Sequence, residues 1–162
     1  MINPEPIHIL MRFSDKLGAI EDTVEAHSIM IKKHGAVWFG KMGKTLSRQN
    51  IERLNKQCEQ GTPTHLYLVQ KTANRYEIYR GVILAVRRET PIKDRKIIPP
   101  YYEKNRLSLY MNLWVKLSGL DRIELTSLSS LYIATSGFAA PETLRASMAA
   151  IFIIKERFTA LQ

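Results

Sequence analysis

Apolar residues along this chain change their spacing several times, and each change marks an element. Pro6-Ile-His-Ile-Leu-Met-Arg-Phe13 is mostly apolar, is bounded by Pro6 and a Ser14-Asp15 turn signal, and predicts a first strand. Ile20, Val24, His27 and Ile31 then recur at helical spacing. They predict a helix from a cap at Asp22 or Thr23 to about Lys33, stopped by Gly35. Glu21, Asp22 and Glu25 near its start and Lys32, Lys33 and His34 at its end suit the helix dipole. Ala36-Val-Trp-Phe-Gly40 predicts a short strand, followed by a basic turn from Lys41 to Lys44. Ser47 is placed to cap a second helix to about Gln60, with Ile51 and Leu54 inward and Gly61 as its stop.

Thr64–Gln70 and Tyr76–Val86 form two strand-like runs around a polar turn at Thr72–Arg75, a hairpin whose long second strand can kink at Gly81. A loop of about eighteen residues with Pro91, Pro99 and Pro100 comes next, a length usually tied to function or mobility. Leu107–Leu117 predicts another long strand, Ser118–Tyr132 a helical or turn region, and Thr135–Pro141 a loop. Ser147–Ile154 closes the chain; its run length suits strand or buried helix equally, and Ile-Phe-Ile-Ile favours strand. Hairpin connections with few crossover helices indicate one α+β domain over 1–162, its mostly antiparallel sheet curled or closed into a small twisted β-barrel with flanking helices.

Composition narrows the classes. The longest apolar run, Met148–Ile154, has seven residues, whereas a membrane-spanning helix needs about 17–25, so no membrane partner is expected. Glu5 and Arg12 make the start unlike a signal peptide, and Cys58 is the only cysteine, so no disulfide lies within the chain and a cytoplasmic setting is expected. The net charge is +9, and residues 61–120 carry eleven Lys/Arg against four Asp/Glu, which places +7 of it there. Arg87, Arg88, Lys93, Arg95, Lys96, Lys104 and Arg106 form the dense part. Two readings of that segment are open: a solvated loop that keeps the chain soluble, or a phosphate-gripping loop whose binding weakens steeply with salt.

Catalytic chemistry finds no advocate. Gly35-Ala-Val-Trp-Phe-Gly40-Lys41 approaches a phosphate-binding loop but fails at Met42, where a hydroxyl must reach the metal. His8, His27, His34 and His65 lack metal-ligand spacing, so neither a metal nor a cofactor is expected, and His27 on an apolar face reads as a satisfied core histidine. Cys58 has no activating cation in sequence, and no acid–base pair stands out.

The aromatics are more informative. Trp38 and Phe39, adjacent on a strand, point to opposite faces, one into the core and the other toward a groove or solvent. With Tyr67, Tyr76, Tyr79, Tyr101, Tyr102, Tyr110 and Trp114 they make either ordinary sheet core or a base-stacking set interleaved with cations. Three functions remain: a non-catalytic nucleic-acid reader, a protein–protein adaptor whose basic loop meets an acidic partner, and an enzyme with an unread pocket.

The segments His34-Gly-Ala-Val-Trp-Phe-Gly40-Lys41, Leu66–Val69, Trp114-Val-Lys-Leu-Ser118, Thr135-Ser136-Gly137 and Ser147–Phe152, in that order, resemble the EVE-like branch of the PUA-like superfamily over roughly residues 6–155. That resemblance implies a small twisted β-barrel that reads DNA or RNA, often a modified base in an aromatic cage. Relatives serve as sensing domains of modification-dependent restriction systems in bacterial defence, and methyladenosine readers of the YTH type share the fold. Carried over by position, Trp38, Phe39, Trp114, Ser118 and Ser136 would form the base pocket, and Lys41, Arg87, Arg88, Lys93, Arg95 and Lys96 the phosphate contacts. Any nuclease or NTPase effector would be a separate chain.

Overall fold

The structure is a computed structural model that describes residues 5–14, 22–72, 75–104 and 106–157. Asp15 of the first turn signal, Ile20 of the expected helix face and the hairpin tip at 73–74 lie outside the described residues. The chain order is β1 (His8–Arg12), α1 (Thr23–His34), β2 (Val37–Met42), α2 (Arg48–Glu59), β3 (His65–Thr72), β4 (Arg75–Arg87), α3 (Pro100–Lys104), β5 (Met111–Ile123), β6 (Leu131–Ile133), α4 (Ala140–Ala146) and β7 (Ile151–Glu156).

Local chemistry sets both long helices where their caps predict. Asp22 accepts the Glu25 N–H at 3.0 Å to start α1, and Gly35 closes it with an N–H to Ile31 O. Ser47 accepts the Asn50 N–H at 3.1 Å to start α2, which buries Ile51 and Leu54. The strands form one mixed sheet of seven, ordered β2-β5-β4-β3-β1-β7-β6, in which only β1 with β3 runs parallel. The sheet does not close: β2 and β6 are its edges, so the expected barrel is an open curl.

Alternation sorts the strands into two faces. Ile9 and Met11, Leu66 and Leu68, Val37 and Phe39, and Leu113, Val115 and Leu117 meet on the concave face under α1 and α2. On the convex face, Leu10, Tyr67, Val69 and Ile154 pack under α4 and the 3-10 turn Leu125–Ser130, while Trp38 and Trp114 pack under Ile97, Ile98 and Tyr102. Two amides of α2 stitch the helix to the sheet. Gln57 bonds both backbone groups of Ile7 at 2.8 and 2.9 Å, and Asn55 bonds both of Val86 at 2.8 Å.

Several boundaries differ from the expectation for identifiable reasons. Lys41 and Met42 are strand rather than turn, because β2 keeps pairing with β5 past Gly40. Ser118-Gly119 does not end β5; it continues to Ile123 along β4, where a Cβ on Gly81 would meet the Gly119 carbonyl and the Leu117 side chain at 3.0 Å, so Gly81 lets the strands pass closely. The β4–β5 register shifts beside that point, after Val82, which is the kink expected near Gly81. The basic loop holds the 3-10 turn Ile92–Ile97 and α3, a further 3-10 turn covers Leu107–Tyr110, and α4 follows the loop at Thr135.

Candidate functional site

A cavity of about 300 Å3 opens where the curl brings strands four places apart in the sheet to one spot. Its lining comes from the end of β1 (Met11, Arg12, with Phe13 and Ser14 beyond), Thr23 at the start of α1, Phe39–Met42 of β2, Tyr101 and Tyr102 of α3, Leu107, Met111 and Ala150. Among the described residues the lining is mainly apolar and contains no carboxylate.

A chain of hydrogen bonds holds three of those elements together. The Gly40 N–H donates to the Tyr102 hydroxyl at 2.9 Å, and that hydroxyl donates to His27 Nε2 at 3.0 Å. His27 Nδ1–H in turn donates to Thr23 O at 2.7 Å. A carbonyl accepts at Nδ1, so the neutral tautomer with its proton there is the one that completes the chain. His27 is fully buried, and burial pushes its pKa down to about 4. It is the satisfied core histidine expected of an apolar helix face, and it packs 4.9 Å from the Phe39 ring centroid. Gly40 has no room for a side chain: a Cβ would lie 3.0 Å from Met111, Trp114 and Tyr102 at once.

Two cations among the described residues line the cavity. The Arg12 guanidinium donates to the carbonyls of Leu144, Ser147 and Ala149, the Ser147 bond at 2.6 Å, and so ties the chain after α4 to β1. Lys41 is only 9% exposed; among the described residues its one hydrogen bond is from Nζ to Met42 O at 2.8 Å, and it has no carboxylate partner. Tyr101 stacks on Tyr102 with centroids 4.2 Å apart and is half-buried. At the rim, Leu109 and Tyr110 stand exposed between the lining residues Leu107 and Met111, and Lys104 and Arg106 lie exposed just before them.

Of the residues expected in the base pocket, only Phe39 lines this cavity, together with Lys41 from the expected phosphate set. Phe39 is itself buried, at 4% exposed, and only borders the cavity. Trp38 and Trp114 are buried on the other face of β2 and β5 under Ile97, Ile98 and Tyr102 and do not border it. Trp38 acts there as an anchor: its Nε1–H donates to Asp94 Oδ2 at 2.9 Å, and Lys116 Nζ lies 3.4 Å from the same oxygen. The indole N–H first, and then Lys116, hold the Asp94 carboxyl below the usual carboxylate range. Trp114 Nε1 is buried with no hydrogen-bond partner among the described residues. Ser118 is half-buried within β5, away from the lining. Ser136 sits after β6, at the sheet edge opposite β2, where its hydroxyl accepts the Phe138 N–H at 3.2 Å.

The basic segment is dispersed rather than gathered at the mouth. Arg87 is exposed at the end of β4, Arg88 donates to Leu46 O at 2.6 Å, and Lys93, Arg95 and Lys96 ride the outside of the 3-10 turn over Trp38, with Arg95 3.7 Å from Glu103. What the sequence reading passed over is Arg12; Tyr101 and Tyr102 stood in the wider aromatic set but not among the pocket residues chosen from it. A charge inside the first apolar run and a tyrosine doublet within the basic loop were the available signals. Among the described residues no group of three His, Cys, Asp or Glu side chains is placed to hold a metal, and no helix is long and apolar enough to cross a membrane.

A family model described as Pua-like matches residues 9–156. No curated protein and no solved structure matches the chain.

Proposed function

The chain belongs to the Pua-like family, whose domains typically bind nucleic acids and generally lack catalysis, and on that premise we propose that it is a non-catalytic reader of DNA or RNA. One base, flipped out or unpaired, enters the cavity between β1, β2 and α3, where it meets the half-buried ring of Tyr101, with the buried Phe39 behind the wall. The observation that carries this reading is the mainly apolar cavity of about 300 Å3 with aromatic residues in its wall and exposed Lys104 and Arg106 shortly before its lining residue Leu107 in the chain. That volume is at the small end of the roughly 300–1,000 Å3 typical of ligand sites, which suits one base and not a dinucleotide. Stacking on an aromatic ring contributes about 1–3 kcal/mol per base, and the surrounding Lys and Arg supply the salt-dependent part. An apolar wall also leaves room for a base that carries a methyl or similar modification.

The test is binding of short single strands and duplexes, with modified and unmodified central bases, at two salt concentrations. The expected result is salt-dependent affinity with a preference among bases that Tyr101→Ala or Phe39→Ala weakens several-fold while the salt slope stays. Absence of binding, or a preference untouched by both substitutions, contradicts the reading. The exposed Ile92 among Lys93, Arg95 and Lys96 favours a second reading, docking of an acidic partner protein on that turn; capture of a partner that survives nuclease treatment would support it.

A further inference from the structure

Among the described residues Lys41 is the lining cation held by the fewest bonds, one hydrogen bond against the three of Arg12. Strand alternation puts it on the same face of β2 as Phe39, two residues earlier, so the chain that builds the aromatic wall also brings in an ammonium. An ammonium has three N–H donors and no acceptor, and the Met42 carbonyl occupies one of them. The other lining cation, Arg12, is committed to three backbone carbonyls. The Tyr102 hydroxyl and both His27 nitrogens are committed to the chain that ends on Thr23. Lys41 is buried as a residue, and an ammonium partly withdrawn from water without a counter-charge is unfavourable unless something supplies acceptors. Burial holds its pKa below the ordinary lysine value, which records the same deficit.

We propose that Lys41 is the specificity-determining donor of this cavity, and that the base it accepts is a keto base, guanine or uracil (thymine in DNA), whose carbonyl oxygen takes a hydrogen bond from Nζ. The proposal rests on the base-reading function above and gives it a substrate class. Guanine offers O6 and N7 as acceptors and thymine or uracil offers O4, whereas adenine and cytosine place an exocyclic amino donor at the corresponding edge. Among the described lining residues there is no carboxylate to receive such an amino group, so a donor on the base faces the Lys41 donor on the protein. This also moves Lys41 from the phosphate contacts, where its place in a basic run had put it, to the base edge.

The experiment uses the full chain and single strands in which one guanine, uracil, adenine or cytosine is flanked by abasic sites, titrated at two salt concentrations against the unsubstituted protein, Lys41→Met and Tyr101→Ala. Expected is a preference of about tenfold for guanine and uracil over adenine and cytosine, shrinking to within about twofold in Lys41→Met at an unchanged salt slope. A thermal melt of Lys41→Met should be no lower than that of the unsubstituted protein, since the change removes an unpaired buried charge. A preference that disappears in Tyr101→Ala but persists in Lys41→Met overturns the Lys41 assignment and leaves the cavity reading standing. An equal loss for all four bases in Lys41→Met, with the salt slope falling by about one, makes Lys41 a phosphate contact and also overturns it. No preference in the unsubstituted protein overturns both.

Discussion

His27 and Tyr102 carry, between them, the polar accounting of a site that is otherwise apolar. Replacing Tyr102 by Phe leaves the Gly40 N–H and His27 Nε2 without their partner. Each such buried loss costs about 1–3 kcal/mol, so urea denaturation should show Tyr102→Phe less stable by that order. The same burial makes the fold acid-sensitive. His27 and His8 are both held down to about 4 from 6.5, His27 by burial and His8 by burial and then by repulsion from His65. The unfolded chain therefore binds protons in that window and the folded chain does not, so stability is complete above pH 6.5 and falls as the pH drops toward 4. At pH 5 each histidine removes on the order of 2 kcal/mol, and thermal melts at pH 7 and 5 should differ accordingly; equal midpoints would contradict both assignments.

The basic loop shows how an element can mislead when only its charges are legible. Its Lys93, Arg95, Lys96, Lys104 and Arg106 are exposed, but Ile97, Ile98 and Tyr102 turn inward and seal Trp38 and Trp114. Those inward positions fall in a polar stretch with no strand or helix period, so nothing in their spacing announced that the loop was a lid on the sheet. Trp38→Ala removes both the indole and the bond to Asp94, and losses of this kind run about 3–5 kcal/mol. A lower melting temperature and faster tryptic cleavage at Lys93, Arg95 and Lys96 are the expected outcome, and unchanged cleavage would show that the anchor does not hold the turn. By contrast α1, α2 and the β3–β4 hairpin were legible because cap residues, stop glycines and apolar periodicity agree locally. Beyond Leu117, β5 was not legible: two small residues look like a break until β4 is beside them.

At the level of the whole molecule, the curl of an open sheet makes the site. β1 and β2 lie four places apart in strand order, yet Met11, Arg12, Phe39 and Lys41 line one cavity with α3 across it. The cations beside that mouth, Lys104 and Arg106, belong to the charged segment that composition singled out, whereas Lys93 and Lys96 sit over the Trp38 anchor. If nucleic acid runs across the mouth, replacing Lys104 and Arg106 by Gln should lower the salt slope of binding by about two and affect all bases alike. Replacing Lys93 and Lys96 should change it less, and the reverse ranking in the same titration would place the strand on the other side of α3.

Local signals were enough for the helices, for the hairpin, for the α+β class and for the location of the excess charge, because capping, turn chemistry and alternation act over a few residues. The partition of the aromatics was of another kind. Alternation sends Trp38 and Phe39 to opposite faces, but which face is roofed by a loop and which borders a cavity depends on where residues 92–111 come to rest, more than fifty positions away in the chain. Whether a buried side chain is an anchor or a wall is a property of its neighbours across the fold, and those neighbours are chosen by packing.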